Sequence, residues 1–288
     1  MKKIAVLITC HNRKDKTIKC IKKLFEAAEK SNSKITNTVF LTDDGSTDGT
    51  NQLVAESFPS VNILQGNGQL YWAGGMRNSW NEALKNNYDG YLLLNDDTMV
   101  FENLFNEIFH TDRYSKDFLL KQGIYIGSTY NEITNKFTYG GRKIKNSLKG
   151  SSEIIIPNGK IEMCDLGNAN IMYVPNNVCN QLGILSTQYI HGVADYDYTL
   201  KAKSKKIPVL VMSSYVGTCK ENNINKNEIF KNKSFKERYK YLFSPIGLAF
   251  TDYLQLQKKF FIYRYPVVLI KGYLKLIFPY VFAKKNVL

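Results

Sequence analysis

The chain has 288 residues, 44% of them apolar and 13% aromatic, with 39 Lys plus Arg against 25 Asp plus Glu and a formal net charge of +14. That length holds one large or two small domains with ample material for a packed core, and the composition excludes a disordered, collagen-like or coiled-coil chain. Five widely spaced cysteines without a C-x-x-C pair suit neither a disulfide framework nor a zinc knuckle, and fit a reducing cytoplasm.

In chain order, the start MKKIAVLITC superficially resembles a leader, but its apolar run of seven residues meets His11-Asn12-Arg13 with no small-residue cleavage site. Residues 3–9 are therefore read as a first buried strand. Residues 16–29 place Ile18, Ile21, Leu24, Phe25 and Ala28 at helical spacing. The alternation continues with a strand at 35–41, a helix from about Thr50, a strand at 61–64, a helix at 75–85 and a strand at 91–94. Strands alternating with helices of this length predict a mostly parallel sheet with right-handed crossovers. Ligands of such sheets bind beyond the carboxyl ends of the strands, which points to residues 11–13, 42–50, 65–71 and 95–98.

Those loops hold the unusual chemistry. TDDGSTDGT at 42–50 puts Asp43 and Asp44 at a strand end. One reading is a capped turn; the other is a carboxylate that accepts a base N–H or ribose hydroxyls. LLLNDDTMV at 92–100 delivers Asn95, Asp96 and Asp97 consecutively from an apolar strand. Adjacent carboxylates repel unless solvent or a cation compensates them, and Mg2+ or Mn2+ completed by substrate phosphates meets that need. Between the two, GNGQLYWAGGMRNSW at 66–80 offers Gly74 and Gly75 for close backbone approach to a ligand, Arg77 for a phosphate or an aspartate, and Trp72 for stacking or for the core. Dinucleotide and phosphate-loop fingerprints are missing from it. Downstream, HGVADYDYTLKAK at 191–203 sets Asp195 and Asp197 just before a helix, as caps or as a base. YVGTCKENN at 215–223 follows a short strand at 208–212 and is placed to close the site, with Cys219 structural or functional.

Charge is concentrated at the end of the chain. Residues 226–288 carry 13 basic and three acidic side chains, a net of +10, which leaves +4 for residues 1–225. Segments such as FKERYKYLF and KKFFIYRYPVVLIKGYLKLIFPY interleave charge with aromatics, as expected either of helices packed on the body or of an anionic membrane surface. The apolar stretches are too short to span a bilayer. A nucleic-acid-binding module, the other partner of a basic chain, is disfavoured by paired aspartates where nucleic acid would be repelled.

The succession VLITCHNR, TDDGSTDGT, WAGGMRN, LNDDT and ADYDYTLKA, covering about residues 3–223, resembles glycosyltransferase family 2, and more narrowly its bacterial rhamnosyltransferase-like members of surface polysaccharide assembly. The resemblance implies a GT-A fold, with a mixed, mostly parallel sheet flanked by helices over 1–225; the basic, aromatic tail is expected as a helical extension over 226–288. The resemblance implies inverting transfer from a UDP-, dTDP- or GDP-sugar to a glycan, and the +10 tail adds the expectation of a lipid-linked glycan acceptor and cytoplasmic placement on the inner face of the plasma membrane. The resemblance also implies roles. Thr9, His11, Arg13, Asp43, Asp44, Trp72, Gly74, Gly75, Arg77, Asn95 and Asp96 serve the donor, and Asp97 with Asp96 holds Mn2+ or Mg2+. Asp195 is the base, Asp197 its alternative, and His191 and Asp197 lie on the acceptor side. A silent sugar-binding protein of the same fold is the rival reading.

Overall fold

The computed structural model describes residues 1–221 and 225–283. The chain runs β1 (Lys2–Cys10), α1 (Lys14–Glu29), β2 (Ile35–Asp43), α2 (Thr50–Ser57), β3 (Asn62–Gln65), α3 (Tyr71–Ala83), β4 (Gly90–Leu94), β5 (Met99–Val100) and α4 (Leu104–Leu119). It continues with β6 (Ile124–Tyr130), β7 (Gly141–Asn146), β8 (Ser151–Ile154), β9 (Glu162–Met163), β10 (Leu166–Gly167), β11 (Ile171–Pro175), α5 (Asn176–Leu182), α6 (Ala194–Ser204) and β12 (Val209–Thr218). Five helices follow: α7 (Lys226–Lys231), α8 (Phe235–Phe243), α9 (Phe250–Phe260), α10 (Tyr265–Ile277) and α11 (Pro279–Ala283), with a 3-10 turn at Ile262–Arg264 before α10.

The main sheet has the order β3-β2-β1-β4-β11-β6-β12-β5, with β9 on β12. Its first four strands are parallel, as the alternating pattern predicts. β11 then enters antiparallel between β4 and β6, and β6 pairs parallel with β12. A small antiparallel sheet, β10-β7-β8, stands beside it. The two-residue side-chain period of a strand explains the layering. On β1, Ile4, Val6 and Ile8 join the core under α1, α2 and α4, whereas Ala5 and Leu7 join the core under α3, α5 and α6. Both faces are covered, so β1 reads as an unbroken apolar run.

The helix expected at 75–85 begins four residues earlier, at Tyr71. Glycines in its first turns weaken its sequence signal, yet the packing demands one of them: a Cβ on Gly75 would fall 2.0 Å from Thr9 Oγ1. The close approach that glycine permits here is between helix and strand, and Gly74 likewise lies against Leu70.

The basic C-terminal helices are packed on the body. Leu256 of α9 shares a core with Ala73, Tyr189, Ala194 and Leu200, and Phe260 and Phe261 border it. Phe230, Leu242, Leu248, Phe250 and Leu276 form a further core among the helices themselves. Among the described residues no helix is long and apolar enough to cross a membrane. Residues 222 and 223 of the expected closing segment, and 284–288 of the expected extension, lie outside the described residues.

Candidate active site

A cleft of about 770 Å³ opens where β1, β2 and β4 end, at the point where the strand order reverses. Thr9, His11, Arg13, Asp44, Trp72, Asn95, Asp96, Asp97, His191 and Asp195 all line it. Three backbone positions around it are strained. Asn12, Tyr71 and Val193 hold φ of 51°, 53° and 53°, and for β-branched Val193 this is a costly conformation. Such strain, about 1–3 kcal/mol each, gathers where the surroundings over-determine a functional geometry.

The wall nearest β2 is built by carboxylates that organise loops. Asp43 accepts the Ser46 N–H at 2.9 Å and shapes the turn. Asp44 Oδ1 accepts the Gly68 N–H and its Oδ2 the Tyr71 N–H, both at 2.8 Å, which ties the 66–71 loop to the strand end. A Cβ on Gly66 would lie 2.5 Å from Asp44 Oδ1, so glycine is required there. Asp48 accepts N–H groups from Lys14 and Thr50, capping the first turns of α1 and α2 together. His11 Nδ1 lies 2.7 Å from the Asp44 carbonyl, and the bond sets Nδ1 as the donor.

The acid pair sits at the floor. Arg13 Nη1 donates to Asp96 Oδ1 at 3.0 Å and to Asp97 Oδ2 at 2.9 Å. Asp96 is buried, and its Oδ2 has no hydrogen-bond partner among the described residues. Burial pushes its carboxyl up to about 7, with Arg13 pulling downward and Asp97 pushing further up. Asn95 accepts the Trp72 indole N–H at 2.8 Å, which explains a neutral side chain at the head of the triplet and fixes Trp72 at the cleft wall. Among the described residues no three His, Cys, Asp or Glu side chains are grouped to hold a metal ion. The donor set nevertheless fits a hard divalent cation of the kind the GT-A resemblance implies. It offers a cleft-lining Asp97, an unpaired Asp96 oxygen and room for phosphate and water ligands. The Cys219 thiol donates to Asp97 Oδ1 at 3.7 Å, and burial pushes that thiol up to about 12, so it is a neutral neighbour of the pair.

Asp195 stands on another wall, in the first turn of α6. Its Oδ2 accepts the Ala169 N–H at 3.2 Å and the Asn168 amide at 3.4 Å, and its Oδ1 accepts the Tyr196 N–H at 2.8 Å. A carboxylate has about four acceptor sites, so roughly one is left for a ligand. Burial raises the Asp195 carboxyl above its ordinary value, against the pull of the Tyr196 and Ala169 N–H groups. Asp197, two residues further along the same helix, is placed differently. It is 1% exposed, accepts the Tyr189 hydroxyl at 2.9 Å and pairs with Lys259 of α9 at 2.7 Å.

Other expected residues work on the protein itself. Both bonds of Arg77 Nη1 go to the carbonyls of Ser186 and Tyr189, at 2.8 Å each. Arg77, Gly74, Gly75, Asp43 and Asp197 do not line the cleft. Residues that sequence reasoning passed over complete it. Tyr139, Ala169, Asn170, Tyr196 and Ile246 line the cleft. Asp252 of α9 accepts the N–H groups of Ile190, His191 and Gly192 on one oxygen, at 3.1, 2.9 and 3.0 Å. The lone sequence signal for Asp252 was an acidic residue in a basic tail. Among the described residues His191 Nδ1 is buried without a partner, and burial holds the ring below the ordinary histidine range.

The fold is shared with solved structures of low sequence identity. The mannosyltransferase PcManGT from Pyrobaculum calidifontis, in complex with GDP-Man and Mn2+, aligns with a TM-score of 0.56 at 13% identity, over 97% of this chain and 71% of that one. TarS residues 1–349 from S. aureus aligns with a TM-score of 0.51 at 11% identity, over 84% of this chain and 66% of that one. No curated protein matches the chain. The family model described as glycosyl transferase family 2 matches residues 5–149, half of the chain, and with it the strand ends that carry Thr9, Asp44 and the Asp96–Asp97 pair; the chain belongs to that family.

Proposed function

We propose that the protein is a metal-dependent, inverting glycosyltransferase that moves a hexosyl or deoxyhexosyl group from a nucleoside-diphosphate donor to a glycan acceptor. The observation that carries the reading is one cleft lined by both an acidic pair suited to a cation and a separate, partly buried carboxylate with a free acceptor site. Donor contacts are assigned to the wall formed by Thr9, His11, Asp44 and Trp72, and acceptor contacts to the wall formed by His191 and Asp195. GDP-Man and Mn2+ in the complex of the archaeal mannosyltransferase support a nucleotide-sugar donor and a divalent ion here.

In this mechanism the acceptor hydroxyl donates its proton to Asp195 while its oxygen bonds to the anomeric carbon. The bond from that carbon to the diphosphate oxygen breaks, and its electron pair leaves with the diphosphate. Asp97, with Asp96 beside it, would hold a Mn2+ or Mg2+ ion, which would supply Lewis-acid stabilisation of the departing charge. The raised carboxyl of Asp195 brings its proton affinity closer to neutral pH, as a general base requires. Asp195 is favoured over Asp197 because the latter is buried and engaged by Tyr189 and Lys259.

The acceptor is assigned to a lipid carrier at an anionic membrane, in surface polysaccharide synthesis as in the rhamnosyltransferase-like subgroup, with the protein peripheral on the cytoplasmic face. Support comes from the C-terminal helices, the proposed extension over 226–288, which also reaches the cleft through Ile246. Val267, Ile270, Tyr273, Leu274 and Ile277 project from one side of α10 at helical spacing, continued by exposed Ile262, Tyr263, Tyr280 and Val281. Lys271 lies exposed among them. An exposed apolar face edged by positive charge suits the headgroup boundary of an anionic leaflet. A thermal-shift screen of UDP-, dTDP-, GDP- and CMP-sugars with Mn2+ tests the donor assignment, since a ligand of the folded state raises its midpoint. At least one nucleotide sugar is expected to stabilise the protein more with Mn2+ than without it. No response to any of them would remove the enzyme reading in favour of a protein that keeps only the fold.

A further inference from the structure

The Asp96–Asp97 pair already has a counter-ion, and its geometry is unusual for arginine. A guanidinium commonly meets one carboxylate with two nitrogens in a fork. Here a single nitrogen, Nη1, serves two different carboxylates, at 3.0 and 2.9 Å, in the manner of a bridging point charge. The partners also differ in freedom. The Asp96 side chain is 6% exposed and fixed at the end of β4, whereas that of Arg13 is 39% exposed and leaves the backbone just before α1. The acids are anchored and the cation is not.

We propose that Arg13 is an exchangeable counter-cation: its guanidinium compensates the charge of Asp96 and Asp97 that a divalent ion would otherwise compensate, and it swings away into the cleft as that ion enters. The inference rests on the reading that Asp97 holds the ion. A hard divalent cation prefers carboxylate oxygen and carries twice the charge, so it displaces the guanidinium without help from the acids. The displaced Arg13 remains at the cleft, where its five donors match the geometry of a phosphate. Two consequences follow. Apo protein keeps its acid pair half-neutralised and so binds free cation more weakly than the bare pair would, and a diphosphate that recruits Arg13 strengthens cation binding by removing the competitor.

The test is Mn2+ titration of the full chain, without nucleotide, followed by the electron paramagnetic resonance of free Mn2+. Arg13→Gln is expected to bind Mn2+ about tenfold or more tightly than the parent, the order expected when one positive charge a few ångströms away is removed from a partly exposed site. Arg13→Lys, which keeps the charge, should stay within a few-fold of the parent. Equal or weaker binding by Arg13→Gln overturns the exchange, and so does equal tightening in both variants, which would mean loop rearrangement. A second measurement does not depend on the folding of Arg13→Gln. In the parent, the Arg13 Nε–H resonance, assigned by its loss in Arg13→Lys, should move toward that of free arginine as Mg2+ is added. A resonance that stays in place while Mg2+ binds overturns the proposal. Should the parent and both variants bind no Mn2+ even with a nucleoside diphosphate present, the metal reading fails and the exchange with it. Binding that is equal in all three removes the exchange alone.

Discussion

The two walls of the cleft are made in different ways. On the side assigned to the donor, the ends of β1, β2 and β4 deliver Thr9, Asp44 and Asp97 from adjacent parallel strands, and Asp44 ties the neighbouring 66–71 loop to the strand end. On the side assigned to the acceptor, most ties are long-range. Asp195 is held by Asn168 and Ala169, the segment 186–192 hangs between Arg77 and Asp252, and α6 is tied to α9 through Asp197 and Lys259. The donor wall is a property of one α/β unit. The proposed acceptor wall rests on the C-terminal helices through Asp252 and Lys259, so under this reading a change in that basic region alters transfer without touching donor binding.

Asp195→Asn gives the sharpest separation of the two walls. Loss of a general base costs about 10²- to 10⁴-fold in transfer, while nucleotide binding, read by calorimetry, should stay at the parental level. Normal turnover in that variant would refute the assignment. Asp97→Ala should do the reverse. Metal-dependent donor binding, measured with and without Mn2+, is expected to weaken by at least the roughly 10- to 100-fold that follows loss of even a ligand's supporting partner. Asp252→Ala tests whether the C-terminal helices build the acceptor wall. It leaves three N–H groups of 190–192 without their acceptor, at a cost of about 1–3 kcal/mol. The melting temperature should fall by a few degrees and transfer should drop, with donor affinity unchanged. Unaltered transfer would place Asp252 outside the site's architecture.

A smaller effect distinguishes the walls by pH. Transfer should be lost on acidification at a pH above the ordinary carboxylate range near ~4, because burial raises Asp195 and the base works only when ionised. An acid limb at or below that range would contradict the role. The smallest effect on chemistry is expected from Ile270→Glu with Tyr273→Glu, which lie on the exposed side of α10. Sedimentation with anionic vesicles should fall, while transfer to a soluble acceptor stays intact.

The donor wall was legible in the sequence because a parallel α/β unit announces itself through apolar runs and the acidic loops that follow them. Asn95-Asp96-Asp97 stands out for that reason, and the structure places the last two at the cleft floor. The role of Arg13 as partner of both acids was not legible, since 83 and 84 residues separate them. The acceptor wall was read only in part. Asn170 and Ala169 enter the cleft from the start of β11, an antiparallel strand, so the rule that ligands meet carboxyl ends passes over them. Asp197 and Asp195 are indistinguishable as letters in ADYDY. Their difference arises from helical geometry, which turns one toward the cleft and the other toward Tyr189 and Lys259. Gly75 misled for a related reason: glycine signals close approach, and only packing shows that the approaching group is Thr9.

The most direct measurement is the anomeric configuration of the transferred sugar, read by proton NMR on product formed from the nucleotide sugar that the thermal-shift screen selects. Direct attack assisted by Asp195 predicts a configuration opposite to that of the donor. Retention of the donor's configuration would contradict the account.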